Sequence, residues 1–138
     1  MNAVPEGWRR IPRLSPFNAL VGPLYQRSAG EALSIGLRIE EKHANSRGIC
    51  HGGVLATLAD LALGYAMQSR LEGEKARGFV TVQLSVDYAG SARIGDWIES
   101  EVRIQRVGAR LAFADCHLLA DGARIVRASA IFARSEKE

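Results

Sequence analysis

Cysteine is scarce in this 138-residue chain. There are two, Cys50 and Cys116, and no Cys/His/carboxylate spacing that would frame a metal site. With 47% apolar residues a normal core can form without a disulfide, so both thiols are expected to be reduced. No apolar run reaches the roughly 18 residues a membrane-spanning helix needs; the closest, from Gly52, is interrupted by Asp60, Gln68 and Arg70. The opening MNAVPEGWRRIPRL lacks the apolar centre of a signal peptide. A cytoplasmic location, no membrane and no metal are therefore expected. Charge of one sign is also lacking. The net charge is +3 with 24% charged residues, and the arginines are scattered apart from Arg9, Arg10 and Arg13. That suits an anionic small ligand and argues against nucleic acid, whose binders gather Lys and Arg on one face. Internal repeats, low-complexity tracts, linkers and a Gly-x-Ser-x-Gly nucleophile elbow are absent as well.

What is present suggests one domain over residues 1–138, with residues 1–15 as an irregular lead-in. Residues 1–23 are rich in turn formers, with room for a short helix near Pro16 to Val21. EALSIGLRIE alternates: Leu33, Ile35, Leu37 and Ile39 face one way, Ser34, Gly36 and Arg38 the other, the period of a half-buried strand. From Gly52 to about Leu71 the chain reads as a helix, apolar nearly all round, ending near the breaker Gly73. The period then returns to two. FVTVQLSVDY sets Val80, Val82, Leu84, Val86 and Tyr88 against Thr81, Gln83, Ser85 and Asp87. Three more strands follow, with a turn at Val107-Gly108 and an Asp121-Gly122 hairpin signal. The expectation is an α+β fold: one or two strands, one long helix buried on most sides, then four strands as an antiparallel meander, the curved sheet wrapped around the single central helix.

One stretch, NSRGICHGGVLATLAD, carries the chemistry. Asp60 stands inside an apolar helix. A carboxylate there must be hydrogen-bonded or protonated, and desolvation moves its pKa toward the range of a general base; a core Asp satisfied by a neighbouring Ser, Thr or Gln is the plainer alternative. Gly52 and Gly53 open the helix, where the first N–H groups lack intrahelical partners and the dipole is positive. Without a Cβ they leave those donors open to a developing oxyanion, or they simply make a sharp corner. The eight residues between Gly52 and Asp60 span roughly 12 Å of helix. One scissile carbonyl cannot easily touch both within a chain, so joint action requires a second subunit and a homodimer.

The pattern Asn45-x-x-Gly48-x-x-His51-Gly52-Gly53, followed by Asp60, resembles the hotdog-fold acyl-CoA thioesterases of the phenylacetate-pathway type, relatives of the 4-hydroxybenzoyl-CoA thioesterases. The resemblance spans about residues 15 to 134, including SPFNALVGPLY and VTVQLSVDYAGSARIGD. It implies a hotdog fold and hydrolysis of acyl-CoA to free acid and coenzyme A without a cofactor, in a homodimer or a dimer of dimers (a homotetramer). It implies that Gly52 polarises the thioester through its amide, and that Asp60, from the partner subunit, is the catalytic carboxylate, acting as base or nucleophile. Asn45 and His51 would line the site, and Thr81 would hold the attacking water. Gly53, Arg93, Arg106 and Arg110 are candidate substrate-binding residues, the arginines through coenzyme A phosphates, although such arginines are commonly just solvated. His51 could transfer a proton or orient the loop. A Cys50–His51 pair is set aside, because adjacent side chains rarely face one another productively and no third orienting group follows. A hotdog hydratase or dehydratase, or a non-catalytic acyl-CoA-binding hotdog, remain as alternatives.

Overall fold

Residues 52–70 hold no proline and are rich in Leu and Ala, and they fold as one 19-residue helix, α2 (Gly52–Arg70). The structure, a computed structural model, describes residues 3–29, 32–71 and 78–135; the expected breaker Gly73 lies outside them. A short helix, α1 (Pro16–Val21), precedes α2, with Ser15 accepting from the Asn18 amide at 3.2 Å and Pro16 in the first turn.

Seven strands form one antiparallel sheet: β1 (Arg9–Arg10), β2 (Tyr25–Ala29), β3 (Ala32–Arg38), β4 (Phe79–Tyr88), β5 (Trp97–Val107), β6 (Leu111–Ala120) and β7 (Ala123–Arg134), in the spatial order β1-β2-β3-β5-β6-β7-β4. The sheet packs on α2, whose Leu55, Leu58, Ala59, Ala62, Leu63, Ala66 and Met67 are buried together with Ile35, Leu37, Ile98, Leu118 and Val126. This is the expected α+β architecture, a sheet around a central helix.

Four expectations need correction. The lead-in is not purely irregular: Arg9–Arg10 pairs with β2, and β2, hidden among turn formers, pairs with β3 along five residues. The last four strands are not a simple meander. β5, β6 and β7 are, but β4 pairs with β7 at the far edge, because the 89–96 connection is too long for a tight hairpin and β3 takes the free side of β5. β3 is buried on both faces: a Cβ on Gly36 would lie 2.3 Å from the Trp97 ring, which packs edge-on against Trp8 with centroids 5.3 Å apart. Finally, α2, apolar nearly all round, is left partly open along one side. Thr57, Asp60, Leu61 and Gly64 are only half-buried, and space is open beside Gly64.

The two sheet edges differ sharply. β1 is two residues long and made of arginines, a blunted edge. β4 is ten residues long, with Val80 and Val82 52% and 57% exposed. It also carries a β-bulge between Thr81 and Gln83, where Val82 is the extra residue. Thr81 lies opposite the core residue Phe132 and Leu84 opposite the core residue Ala130. The bulge therefore overturns the simple alternation. Thr81, expected on the face opposite Leu84, shares the helix-facing side with it.

Candidate active site

The turn before α2 is built by polar side chains acting on backbone. Asn45 Oδ1 accepts from the Arg47 amide at 2.8 Å and the Ile49 amide at 3.3 Å, an Asx turn that closes the loop. Gly48 sits there with φ +80°, a conformation suited to glycine. The carboxamide oxygen of Asn45 is thus spent on the loop. The buried His43 ties this loop to α1: its Nδ1 accepts from the Glu40 amide at 2.8 Å, which leaves Nε2 to donate to the Val21 carbonyl at 2.7 Å. The His43 carbonyl in turn accepts from the His51 amide at 2.8 Å.

His51 is the N-cap of α2, and its Nδ1 accepts from the Gly53 amide at 2.8 Å. The imidazole is thus engaged with the helix it caps. This contact also explains the second glycine, since a Cβ on Gly53 would press on the imidazole at 3.0 Å. The His51 carbonyl accepts from the Val54 and Leu55 amides, at 2.9 and 3.3 Å. In a trans peptide the N–H points opposite to the C=O, so the Gly52 N–H is aimed out of the helix N-terminus. Among the described residues nothing accepts from it. It is a free donor at the positive end of a five-turn helix.

Two turns along α2, Asp60 is half-buried, and its Oδ1 accepts from Thr81 Oγ1 at 2.8 Å. The threonine contact is the plainer arrangement expected of a helix Asp, and the expected burial is corrected: the carboxylate stands half-buried at the helix surface rather than sealed in the core. The bulge at Val82 is what turns Thr81 toward it. Arg93 is exposed beside the 45–50 loop through a backbone bridge to Ile49, and its own amide donates to Asp96 at 2.8 Å. Arg106 and Arg110 are exposed at the other end of β5, where the Arg110 carbonyl meets the Arg134 amide at 2.9 Å. The structure thus sorts the candidates into two groups. Asn45, His51, Gly52, Gly53 and Arg93 gather at the helix N-terminus, while Asp60 and Thr81 meet at the start of β4, the end toward which Arg106 and Arg110 lie.

Tyr88 was not singled out from the sequence, where it reads as the last residue of an alternating face. It is half-exposed at the end of β4, and its hydroxyl donates to the Gly52 carbonyl at 2.7 Å. Only the strand register brings it there. Both thiols are buried, which pushes Cys50 up to about 11 and, aided by Asp115, Cys116 up to about 12.

The chain is similar to known proteins. A family model described as the Thioesterase superfamily matches residues 47–126. The "Putative esterase" of Pseudomonas aeruginosa is 44% identical over 133 residues, 96% of this chain and 98% of that protein. "Acyl-coenzyme A thioesterase 13" of Mus musculus is 34% identical over 91 residues, 66% of this chain and 63% of the mouse protein. Among solved structures, a mutant of the phenylacetic acid degradation protein PaaI from Thermus thermophilus shares the fold. Its TM-score is 0.74 at 22% identity, covering 87% of this chain and 99% of PaaI.

Proposed function

The chain belongs to the thioesterase superfamily and is a thioester hydrolase; from that premise we propose that it hydrolyses acyl-CoA at sites shared between two copies joined along β4. The observation that carries this reading is the position of the two halves. The free Gly52 amide, marked by Tyr88, and the Asp60–Thr81 pair stand toward opposite ends of one exposed edge strand. A two-fold axis through the middle of β4 pairs the strands antiparallel. It carries the Asp60–Thr81 pair of one copy toward the Gly52 amide of the other, bridging the distance that separates them within a chain. The same pairing covers Val80 and Val82 and satisfies the open ladder.

In this reading the thioester oxygen accepts the Gly52 N–H. Thr81 donates to Asp60 Oδ1, which aims the carboxylate and leaves the threonine oxygen free to accept from a water. The water oxygen attacks the carbonyl carbon while its proton passes to Asp60. The tetrahedral oxyanion, held by the Gly52 donor, collapses with rupture of the C–S bond, and the thiolate of coenzyme A takes up a proton. Direct attack by Asp60, through a mixed anhydride, uses the same geometry. His51 and Asn45 hold the loop that aims the donor, and the arginines at either end are available to coenzyme A phosphates. The copies work in the cytoplasm, as dimers or as a dimer of dimers.

The test is thiol release with a panel of straight-chain and aromatic acyl-CoAs, for the wild type and Asp60→Asn. The variant keeps the shape and loses the basicity. It should bind the substrate and lose about 10²-fold or more in kcat. Single-turnover hydrolysis in ¹⁸O-water separates the routes, since only the anhydride route can put label into the Asp60 side chain. Wild-type rates in Asp60→Asn would remove the carboxylate from the mechanism. Binding without thiol release across the panel would favour an acyl-CoA-binding protein, and hydration of an enoyl-CoA would favour a hydratase.

A further inference from the structure

Two consecutive glycines make the peptide between them the least constrained in the helix, because neither residue carries a Cβ to restrict rotation. In this chain that peptide, joining Gly52 and Gly53, is held at both ends by side chains. Its N–H donates to His51 Nδ1 at 2.8 Å, and its carbonyl accepts from the Tyr88 hydroxyl at 2.7 Å. The Tyr88 ring lies against Gly52, its Cε1 and Cζ each 3.5 Å from where a Cβ would stand. Tyr88 is itself firmly placed. It pairs with Val126 as the last residue of β4, and the next two amides, of Ala89 and Gly90, both donate to the Ile125 carbonyl, at 2.9 and 3.0 Å.

We propose that Tyr88 is a positioning residue for the reaction. Its hydroxyl clamps the Gly52–Gly53 peptide, and so fixes the direction of the adjoining Gly52 N–H that receives the thioester oxygen. The proposal rests on the reading of Gly52 as oxyanion donor. The clamp does not touch the substrate. It removes a rotation at the Gly52 Cα that would otherwise swing the donor off line, and preorganisation is what gives an oxyanion donor its effect. It is also built from the strand along which the second copy is proposed to pair, so pairing steadies the donor of each site. His51 alone does not achieve this, because it is an immediate neighbour in the chain and moves with the turn it caps.

Tyr88→Phe keeps the ring and deletes the hydroxyl. A net hydrogen bond of about 0.5–1.5 kcal/mol corresponds to a loss of roughly 2- to 12-fold. The loss should appear in kcat for the acyl-CoA that the wild type hydrolyses fastest, with KM little changed and the thermal midpoint lowered by no more than the few degrees that one such hydrogen bond supplies. The same substitution in a Gly52→Pro background should cost nothing further, since the donor it aims is already gone. An NMR readout is independent of turnover: the Gly52 and Gly53 amide cross-peaks should shift or broaden in Tyr88→Phe, while those of the Asn45 turn stay in place. Unchanged glycine cross-peaks, or a kcat loss that adds fully to that of Gly52→Pro, would overturn the proposal. If Gly52→Pro alone leaves turnover intact, the oxyanion reading fails instead, and the cross-peaks still report whether the clamp exists.

Discussion

Replacing Gly52 by proline isolates the proposed oxyanion donor, because the fold has no reason to resist it. Gly52 is the first residue of α2, the one helical position where proline is favoured, since the N–H there has no intrahelical partner to lose. The residue before it, His51, sits at φ −62° and ψ 135°, the extended conformation that a following proline demands. A Cβ at Gly52 would stand 3.5 Å from the Tyr88 ring, ordinary contact. By narrowing the unfolded ensemble the substitution should leave stability unchanged or raise it by about 0.4–1 kcal/mol. Turnover should behave oppositely. Removing one oxyanion donor costs roughly 10²–10³-fold in kcat, or about 2.7–4 kcal/mol of transition-state stabilisation. Gly52→Ala is the control, because it adds the same Cβ but keeps the N–H, and it should stay within a few-fold of wild type. The assay is steady-state thiol release with a parallel thermal melt. Proline turning over like wild type would refute the assignment of the Gly52 amide, whereas alanine failing as badly as proline would trace the loss to the added Cβ instead of the missing N–H.

Two further predictions follow from the edge strand and the thiols. Val82→Lys places a charge on the exposed bulge of β4. Burying a valine contributes about 1.5–3 kcal/mol and a two-fold axis uses it twice, so the dimer dissociation constant should rise roughly 10²-fold or more, with activity lost at dilutions where sedimentation finds monomer. A fully active variant with undiminished association would move the interface elsewhere. Cys50 and Cys116, which burial pushes up to about 11 and about 12, should resist a disulfide reagent at pH 8 and react on unfolding. Because their folded pKa values lie above that of an unfolded thiol, their contribution to stability is complete below about pH 8.5 and falls as pH rises toward 11. Rapid labelling of the native protein at pH 8 would contradict the burial.

Features set by near neighbours were legible from the sequence. The Asp121-Gly122 pair adopts φ values of 52° and 83°, the left-handed turn that dipeptide favours. Helix α2 begins at Gly52, where the glycines open the apolar run. Features set by distant pairing were not. Nothing local to FVTVQLSVDY says that it will lie beside β7 rather than β5, because both neighbours offer the same alternation. The strand Tyr25–Ala29 has too few apolar residues to announce itself, and its place comes from β3, which takes it up along five residues. The bulge is a single extra residue with no glycine to mark it. Yet it decides which face Thr81 joins, and Tyr88 reaches Gly52 only once that register is set.

The bulge also links the fold to the site. In an uninterrupted strand Thr81 and Leu84, three residues apart, would face opposite ways. Leu84 packs against the core, so Thr81 would point away from α2 and leave Asp60 without its donor. Inserting Val82 keeps Leu84 and Val86 packed against the core while rotating Thr81 inward to 2.8 Å from the carboxylate. A valine at the open edge follows from the same insertion, 57% exposed in the single chain. An apolar edge of this length invites pairing with another strand, and on the proposed reading a second copy supplies it. One inserted residue then meets three needs: it aims the catalytic carboxylate, preserves the core register and contributes apolar surface to the interface across which the two halves of the site meet. Each copy's donor and carboxylate remain roughly 12 Å apart along α2. On the proposed reading chemistry waits on association, and the concentration dependence of activity should follow that of the dimer.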